Sequence, residues 1–312
     1  MAGLVSVIIP TKQGKDTLEK TLRSVINQTY NNIEIIVVDD NGIKTENQLE
    51  TEKIVKKVSE KILYMPLDKH VNGSYARNKG FSVSSGEYIA FLDDDDFLLK
   101  NKIEMQVKML DSEDAGMCIC GSYIINKDKV GYVDRPVIKN RMMIRYLTGQ
   151  YLFNTSTYLI RRNVVESLKG FDERFERHQD WEFCTRLLSK YKIVSVPIPL
   201  VIKYGEGRNK VVDVKKMITQ REFFLDTLSE LIAKSVGEKS LQAIENYHHR
   251  QLALTCFVQR EFELGMKQIK KCSGIEAANL LSCFNLGIYL KLRKALKGSK
   301  KIDSRDLEYL VD

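Results

Sequence analysis

Four consecutive aspartates, Asp93 to Asp96, sit in the stretch YIAFLDDDDFL, between five residues suited to a buried strand and a return to apolar residues. Like charges crowded together repel one another and resist burial. A carboxylate pair at i and i+2 after a strand can offer two hard oxygen ligands to one divalent cation, and Asp93 and Asp95 have that spacing. Mg2+ or Mn2+ held this way draws its other ligands from phosphate and water, and the ion offsets the repulsion. The competing explanation is an acidic turn that caps the following helix, a role that suits Asp94 and Asp96.

Two further groups carry similar chemistry. Asp39 and Asp40 close an apolar run and precede Asn41-Gly42, so they read either as a turn or as carboxylates that recognise a base or ribose. The segment NGSYARNKG, residues 72–80, reads as a helix N-terminus with Ser74 as its cap, or as a helix dipole and Arg77 aimed at a diphosphate.

These groups need a scaffold, and residues 4–95 supply its pattern. Apolar runs at 4–9, 33–38, 62–65 and 87–92 alternate with helical patterns, the first of which has Asp16 and Glu19 at capping-box spacing. Continuous apolar strands separated by helices predict βαβ units and an α/β fold with a mostly parallel sheet covered on both faces. Ligands bind such sheets beyond the carboxyl ends of the strands. Pro10-Thr11, Asp39-Asp40 and the four aspartates each end a strand-like run, so they are expected along one edge. Further along, strands are expected at 117–125, 129–134 and 153–160, and helices at 100–110, 162–168 and 179–190. Residues 214–298 carry helical periodicity throughout, and a boundary near 212 divides the chain into 1–212 and a helical 213–312.

Three ordered blocks together resemble inverting glycosyltransferases of family two, which have the GT-A fold. They are VSVIIPTKQGKDTLEKTLRSVINQTYNNIEIIVVDDNG (5–42), NGSYARNKGFSVSSGEYIAFLDDDD (72–96) and GFDERFERHQDWEFCTRL (170–187). The resemblance covers residues 4–205 and implies a GT-A type, Rossmann-like mixed sheet that binds a nucleotide-sugar donor, with UDP favoured. It implies that Pro10, Thr11, Asp39 and Asp40 line the base and ribose, with Arg77 nearby. Asp93 touches the ribose or the metal shell, Asp94 belongs with the donor-contacting residues, and Asp95 binds the Mn2+ or Mg2+ that bridges the diphosphate.

The resemblance also makes Asp180 in HQDWE the general base, the carboxylate that takes the acceptor hydroxyl's proton as its oxygen attacks the anomeric carbon. The alternative is an N-terminal helix aspartate that satisfies backbone amides. Gln179 stands where the family often has glutamate. Trp181, the only tryptophan, suits either a sugar ring or plain packing, and His178 suits a metal ligand, a group that supports one, or plain exposure to solvent. The loop KYGEGRNK (203–210) lacks the family's frequent histidine, which leaves a third metal ligand unassigned. Lys203, Arg208 and Lys210 could close over the diphosphate, with Gly205 and Gly207 allowing movement.

Composition narrows the partners. With 49 Lys+Arg against 41 Asp+Glu the net charge is +8, basic without a nucleic-acid reader motif, so no nucleic-acid partner is expected. Six scattered cysteines, Cys118, Cys120, Cys184, Cys256, Cys272 and Cys283, read as reduced core residues of a cytoplasmic protein. The opening MAGLVSVIIP reads as a strand and not as a signal peptide, and no run reaches membrane-spanning length. An apolar stretch near 280–292 followed by basic residues to 301 suits either peripheral contact with the cytoplasmic face of a membrane or packing on the catalytic domain or a second copy. The reading is thus a metal-dependent inverting glycosyltransferase acting on a cell-surface glycan or its lipid-linked precursor. Its rivals are a nucleotidyltransferase, whose glycine-rich loop Pro10-Thr-Lys-Gln-Gly14 fits poorly, and an inactive sugar-nucleotide binding module.

Overall fold

The computed structural model describes residues 3–14, 16–126, 129–151, 153–204 and 213–273. The chain opens β1 (Val5–Thr11), α1 (Leu18–Ile26), β2 (Ile33–Asp39), α2 (Glu46–Val58), β3 (Leu63–Pro66), α3 (Gly73–Val83), β4 (Tyr88–Phe91). It continues with β5 (Asp96–Leu98), α4 (Lys102–Ser112), β6 (Met117–Asn126), β7 (Lys129–Val133), α5 (Met142–Leu147), a 3-10 turn at Thr155–Thr157, and β8 (Tyr158–Arg161). Then come α6 (Arg162–Ser167), α7 (Gln179–Leu188), β9 (Ile193–Tyr204), α8 (Val214–Val236), α9 (Glu238–Val258) and α10 (Phe262–Lys270).

The strands form one mixed sheet in the order β3-β2-β1-β4-β8-β6-β9-β5, with β7 paired to β6. The β3-β2-β1-β4 half is parallel, and β8 then enters antiparallel to both β4 and β6. Because β1, β2 and β4 are adjacent and parallel, their carboxyl ends share one edge, as expected for Thr11, Asp39 and Asp93.

Alternation along β1 explains how both faces are covered. Val5, Val7 and Ile9 join a core with Leu18, Leu22 and Val25 of α1 and Ile103, Val107 and Leu110 of α4. Ile8 points the other way, toward α3, where a Cβ on Gly80 would come within 2.3 Å of its Cγ2. Only a residue without a side chain lets α3 lie that close to the sheet.

Several local expectations change. The Asp16/Glu19 capping box does not form: Thr17 occupies the N-cap, and Glu19 bonds Arg23 (2.8 Å) and Lys57 (2.9 Å). Asn72, not Ser74, caps α3 by accepting from the Tyr75 amide, while Ser74 is buried and donates to the Phe175 carbonyl. The strand expected from 153 begins only at Tyr158, because Asn154 and Thr157 exchange hydrogen bonds that wind the preceding residues into a 3-10 turn. The acidic motif itself runs into a short strand, β5, and the run around Pro197 and Pro199 is a long strand, β9.

The described residues fall into two compact units, one within Met1–Asn140 and Leu152–Gly207 and the other within Arg141–Tyr151 and Arg208–Lys300. The second is helical. Phe224, Leu225, Leu228 and Ile232 of α8 and Leu241, Ile244 and Leu252 of α9 are buried, and Gly237, with φ +85°, makes the turn between these two helices. Buried His248 accepts at Nδ1 from Arg221 Nη1 (2.7 Å). Among the described residues no helix is long and apolar enough to cross a membrane. The apolar and basic segment at 280–301, and Arg208 and Lys210, lie outside the described residues.

Candidate active site

The end of β2 is a closed hydrogen-bond circuit. Asp39 is fully buried and accepts from the Asn41 amide (2.9 Å), Asn41 Nδ2 (2.7 Å) and the Tyr64 hydroxyl (2.6 Å). Burial raises its carboxyl above the ordinary value, and these donors partly offset that rise. Asp40 accepts from the Val71 amide (2.8 Å), and its other oxygen lies 2.8 Å from His70 Nδ1. Asp40 therefore braces the segment that leads into α3, while Asp39 ties the end of β2 to β3.

The loop after β1 folds around Asp94. The Thr11 hydroxyl donates to Asp94 Oδ2 at 2.6 Å, the Lys12 amide reaches the same oxygen at 3.2 Å, and the Thr21 hydroxyl donates to the Asp94 carbonyl at 2.9 Å. Gly14 completes the cradle, since a Cβ there would lie 2.1 Å from Asp94 Oδ2. Burial pushes the Asp94 carboxyl up to about 6. Asn41 Oδ1 accepts from the Gln13 amide (3.0 Å), which joins this loop to the Asp39 circuit.

Asp93 lies between two cations. Its Oδ1 accepts from Arg77 Nη2 at 2.7 Å, its Oδ2 is 3.9 Å from Lys203 Nζ, and Thr155 Oγ1 donates to it at 3.1 Å. Burial alone would raise its carboxyl, but Arg77 and Lys203 outweigh burial and hold it below the ordinary carboxylate value. Arg77 Nη1 also donates to Gln179 Oε1 (2.9 Å), so one buried guanidinium bridges the acidic motif and the start of α7. Asp96 is buried, accepts from Ser156 (2.5 Å) and is ion-paired with Lys203, its partner across the β5–β9 pair. Burial pushes the Asp96 carboxyl up to about 6.

Asp180 stands in the first turn of α7, whose N-cap, His178, adopts a left-handed backbone (φ 62°). Burial raises the Asp180 carboxyl above the ordinary value, with the Trp181 amide and the Arg77 charge acting against the rise. Asp180 thus sits within the fields of Arg77 and Asp93, near the carboxyl ends of the parallel strands. The Trp181 ring stacks on His178 with centroids 4.6 Å apart. The Tyr158 hydroxyl is buried with no hydrogen-bond partner among the described residues, and it too feels Asp180 and Asp93.

The structure therefore gathers Thr11, Asp39, Asp40, Arg77, Asp93, Asp94 and Asp95 at one sheet edge, with Pro10 the penultimate residue of β1 and Asp180 on α7. Lys203 lies in β9 and not in a free loop, because the β5–β9 pairing draws it onto Asp96. Sequence reasoning did not assign Thr155, Ser156, Asn41 or Tyr64; the polar run Asn154-Thr-Ser-Thr157 ahead of an apolar strand was the one available signal. Hard carboxylate oxygens on Asp93 and half-buried Asp95 suit Mg2+ or Mn2+. Among the described residues no group of three or more His, Cys, Asp or Glu is arranged to hold a metal ion.

A family model described as Glycosyl transferase family 2 matches residues 6–169. The amylovoran biosynthesis glycosyltransferase AmsB of Erwinia amylovora is 29% identical over 238 residues, covering 72% of this chain and 77% of that protein. An uncharacterized glycosyltransferase of Rickettsia prowazekii, RP339, is 31% identical over 264 residues, covering 82% and 80%. The UDP-Glc:alpha-D-GlcNAc-diphosphoundecaprenol beta-1,3-glucosyltransferase WfaP of Escherichia coli is 31% identical over 191 residues, covering 60% and 71%. Two solved structures share the fold at 16% identity. S. aureus TarS 1-349 in complex with UDP-GlcNAc has a TM-score of 0.62 over 90% of this chain and 79% of that one. The mannosyltransferase PcManGT of Pyrobaculum calidifontis, in complex with GDP-Man and Mn2+, scores 0.61 over 100% and 86%. With its sheet topology, its acidic strand end and this match over more than half its length, the chain belongs to glycosyl transferase family 2 and is a glycosyltransferase.

Proposed function

We propose that this enzyme transfers a sugar, with inversion, from a UDP-linked donor to a hydroxyl of a cell-surface glycan or its lipid-linked precursor. The observation that carries the reading is the arrangement of Asp180 and Arg77: a carboxyl with a raised pKa at the start of α7, and a guanidinium joining that helix start to Asp93. A base and a donor-binding cation held by one bridge can bring an acceptor hydroxyl and an anomeric carbon into the same pocket.

In this reading Asp39, Asp40, Thr11 and Pro10 form the base and ribose end, and Asp94 holds the loop beside them. Arg77 faces the diphosphate. Asp93 and Asp95 would hold Mn2+ or Mg2+, which supplies positive charge to the departing diphosphate. Asp180 takes the acceptor proton while the new glycosidic bond forms and the bond to the diphosphate breaks. The hydroxyl becomes acidic only as its oxygen bonds to carbon, so an ionised carboxylate suffices as the base.

The printed names of the relatives support the choice of donor and acceptor: WfaP uses UDP-Glc and a diphosphoundecaprenol-linked acceptor, and AmsB serves amylovoran biosynthesis. A lipid-linked acceptor would put the work in the cytoplasm at the inner face of the membrane. The chain's 1–212 would then be catalytic and its 213–312 would meet acceptor, membrane or a second copy.

The test pairs a panel of nucleotide sugars and Mn2+ with an undecaprenyl-diphosphate-linked sugar as acceptor. Transfer from a UDP-sugar in the wild type, and its loss in Asp180→Asn with UDP binding retained, is the expected result. Undiminished transfer by Asp180→Asn would remove the base assignment, and a preference for a non-UDP donor would remove the donor assignment.

A further inference from the structure

We propose that Lys203 is a resident cation of the acidic motif that weakens its hold on a divalent ion while no nucleotide is bound. The inference rests on the metal and diphosphate site proposed above. Lys203 enters from β9, opposite Asp96 in the β5–β9 register. Its ammonium is ion-paired with Asp96 Oδ2, lies 3.4 Å from Asn154 Oδ1, and lies 3.9 Å from Asp93 Oδ2.

The side chain is only 19% exposed, so solvent screens its charge weakly. Asp96 and Asp93 share this one fixed positive charge. Arg77 supplies a second at the other oxygen of Asp93.

A divalent ion approaching Asp93 and Asp95 meets an Asp93 carboxylate already paired with Arg77, with the Lys203 ammonium a few ångströms away. Repulsion between charges that close, in a partly buried site, is worth at least about tenfold in affinity. A diphosphate brings negative charge of its own and tips the balance back. Lys203 thus makes ion binding depend on donor binding more steeply than the phosphate ligands shared with the ion would by themselves.

The test titrates metal-stripped full-length protein with Mn2+ alone, following the free-ion signal by electron paramagnetic resonance. Lys203→Met is expected to bind Mn2+ at least about tenfold more tightly than wild type, and Lys203→Arg, which keeps the charge, to resemble wild type. Circular dichroism establishes that each variant is folded; should Lys203→Met not fold, Lys203→Gln carries the same comparison. Unchanged or weaker Mn2+ binding by the folded neutral variant overturns the proposal, as does a matching gain in Lys203→Arg. A parallel series with saturating UDP reads the donor site separately. If UDP leaves wild-type Mn2+ affinity unchanged while Lys203→Met still gains, the diphosphate reading fails and the role of Lys203 stands.

Discussion

Arg77 donates to Gln179 Oε1 at 2.9 Å across 102 positions of sequence, and the same guanidinium holds Asp93 at 2.7 Å. Gln179 is in turn tied to the Glu176 carbonyl at 3.2 Å, so the bridge reaches the loop that leads into α7. A neutral amide accepts this hydrogen bond without adding a third carboxylate beside Asp93 and Asp180. Arg77→Lys keeps a charge but cannot span both partners, because an ammonium lacks the planar fork. It is expected to lower kcat/KM by at least about tenfold, and Gln179→Ala to raise the donor KM several-fold with Tm within a few degrees of wild type. Steady-state kinetics with the donor varied check both.

Asp180 must be ionised to accept a proton, and its pKa is raised by burial. The raised value means activity is fully present above it and lost as pH falls through it, at a pH above the ordinary carboxylate range. Asp180→Asn is expected to lower kcat by about 10²–10⁴-fold, the range typical of a lost general base. A kcat profile from pH 4 to 8 checks the limb, and an acid limb at the ordinary carboxylate value would argue against this residue as the base.

Gly14 leaves no room for a side chain. A Cβ would lie 2.1 Å from Asp94 Oδ2 and 2.7 Å from Thr11 Oγ1, so Gly14→Ala must displace the hydrogen bond between them. A stability loss of about 1–3 kcal/mol is expected, as for other overpacked sites, together with weaker nucleotide binding. Chemical denaturation and UDP titration measure the two effects.

Asp94 gives the metal-free protein a characteristic pH response. Its folded pKa is about 6 against 3.8 for the free side chain, so the folded state holds a proton that the unfolded chain has released. Its contribution to stability is present below about pH 4 and is lost as pH rises through about 6, amounting to at most about 3 kcal/mol. Unfolding free energies compared between wild type and Asp94→Asn across pH 4–7 isolate this contribution, and parallel curves would argue against it.

Much of the parallel half of the sheet was legible because its signals are local. Continuous apolar runs ending in Thr11, Asp39 and Asp93 announce adjacent parallel strands, and parallel neighbours must end on the same edge. Helix caps were less legible. Asn72 and Ser74 are both good capping residues, and only the packing of Ser74 against the Phe175 carbonyl decided between them. The strands β5 and β9 escaped notice since one is three residues long and opens with an aspartate, and the other contains two prolines.

By itself the sequence determined which residues carry the charge: the four aspartates, the two that end β2, Arg77 and Asp180, each marked by its place at the end of a strand or the start of a helix. Which of these charges meet was settled only by the tertiary structure. Asp96 pairs with Lys203 over 107 positions, Asp93 takes Thr155 over 62, and Arg77 finds Gln179 over 102. No local periodicity encodes such contacts, because they form when β8 and β9 close on the parallel half of the sheet and bring distant strand ends together.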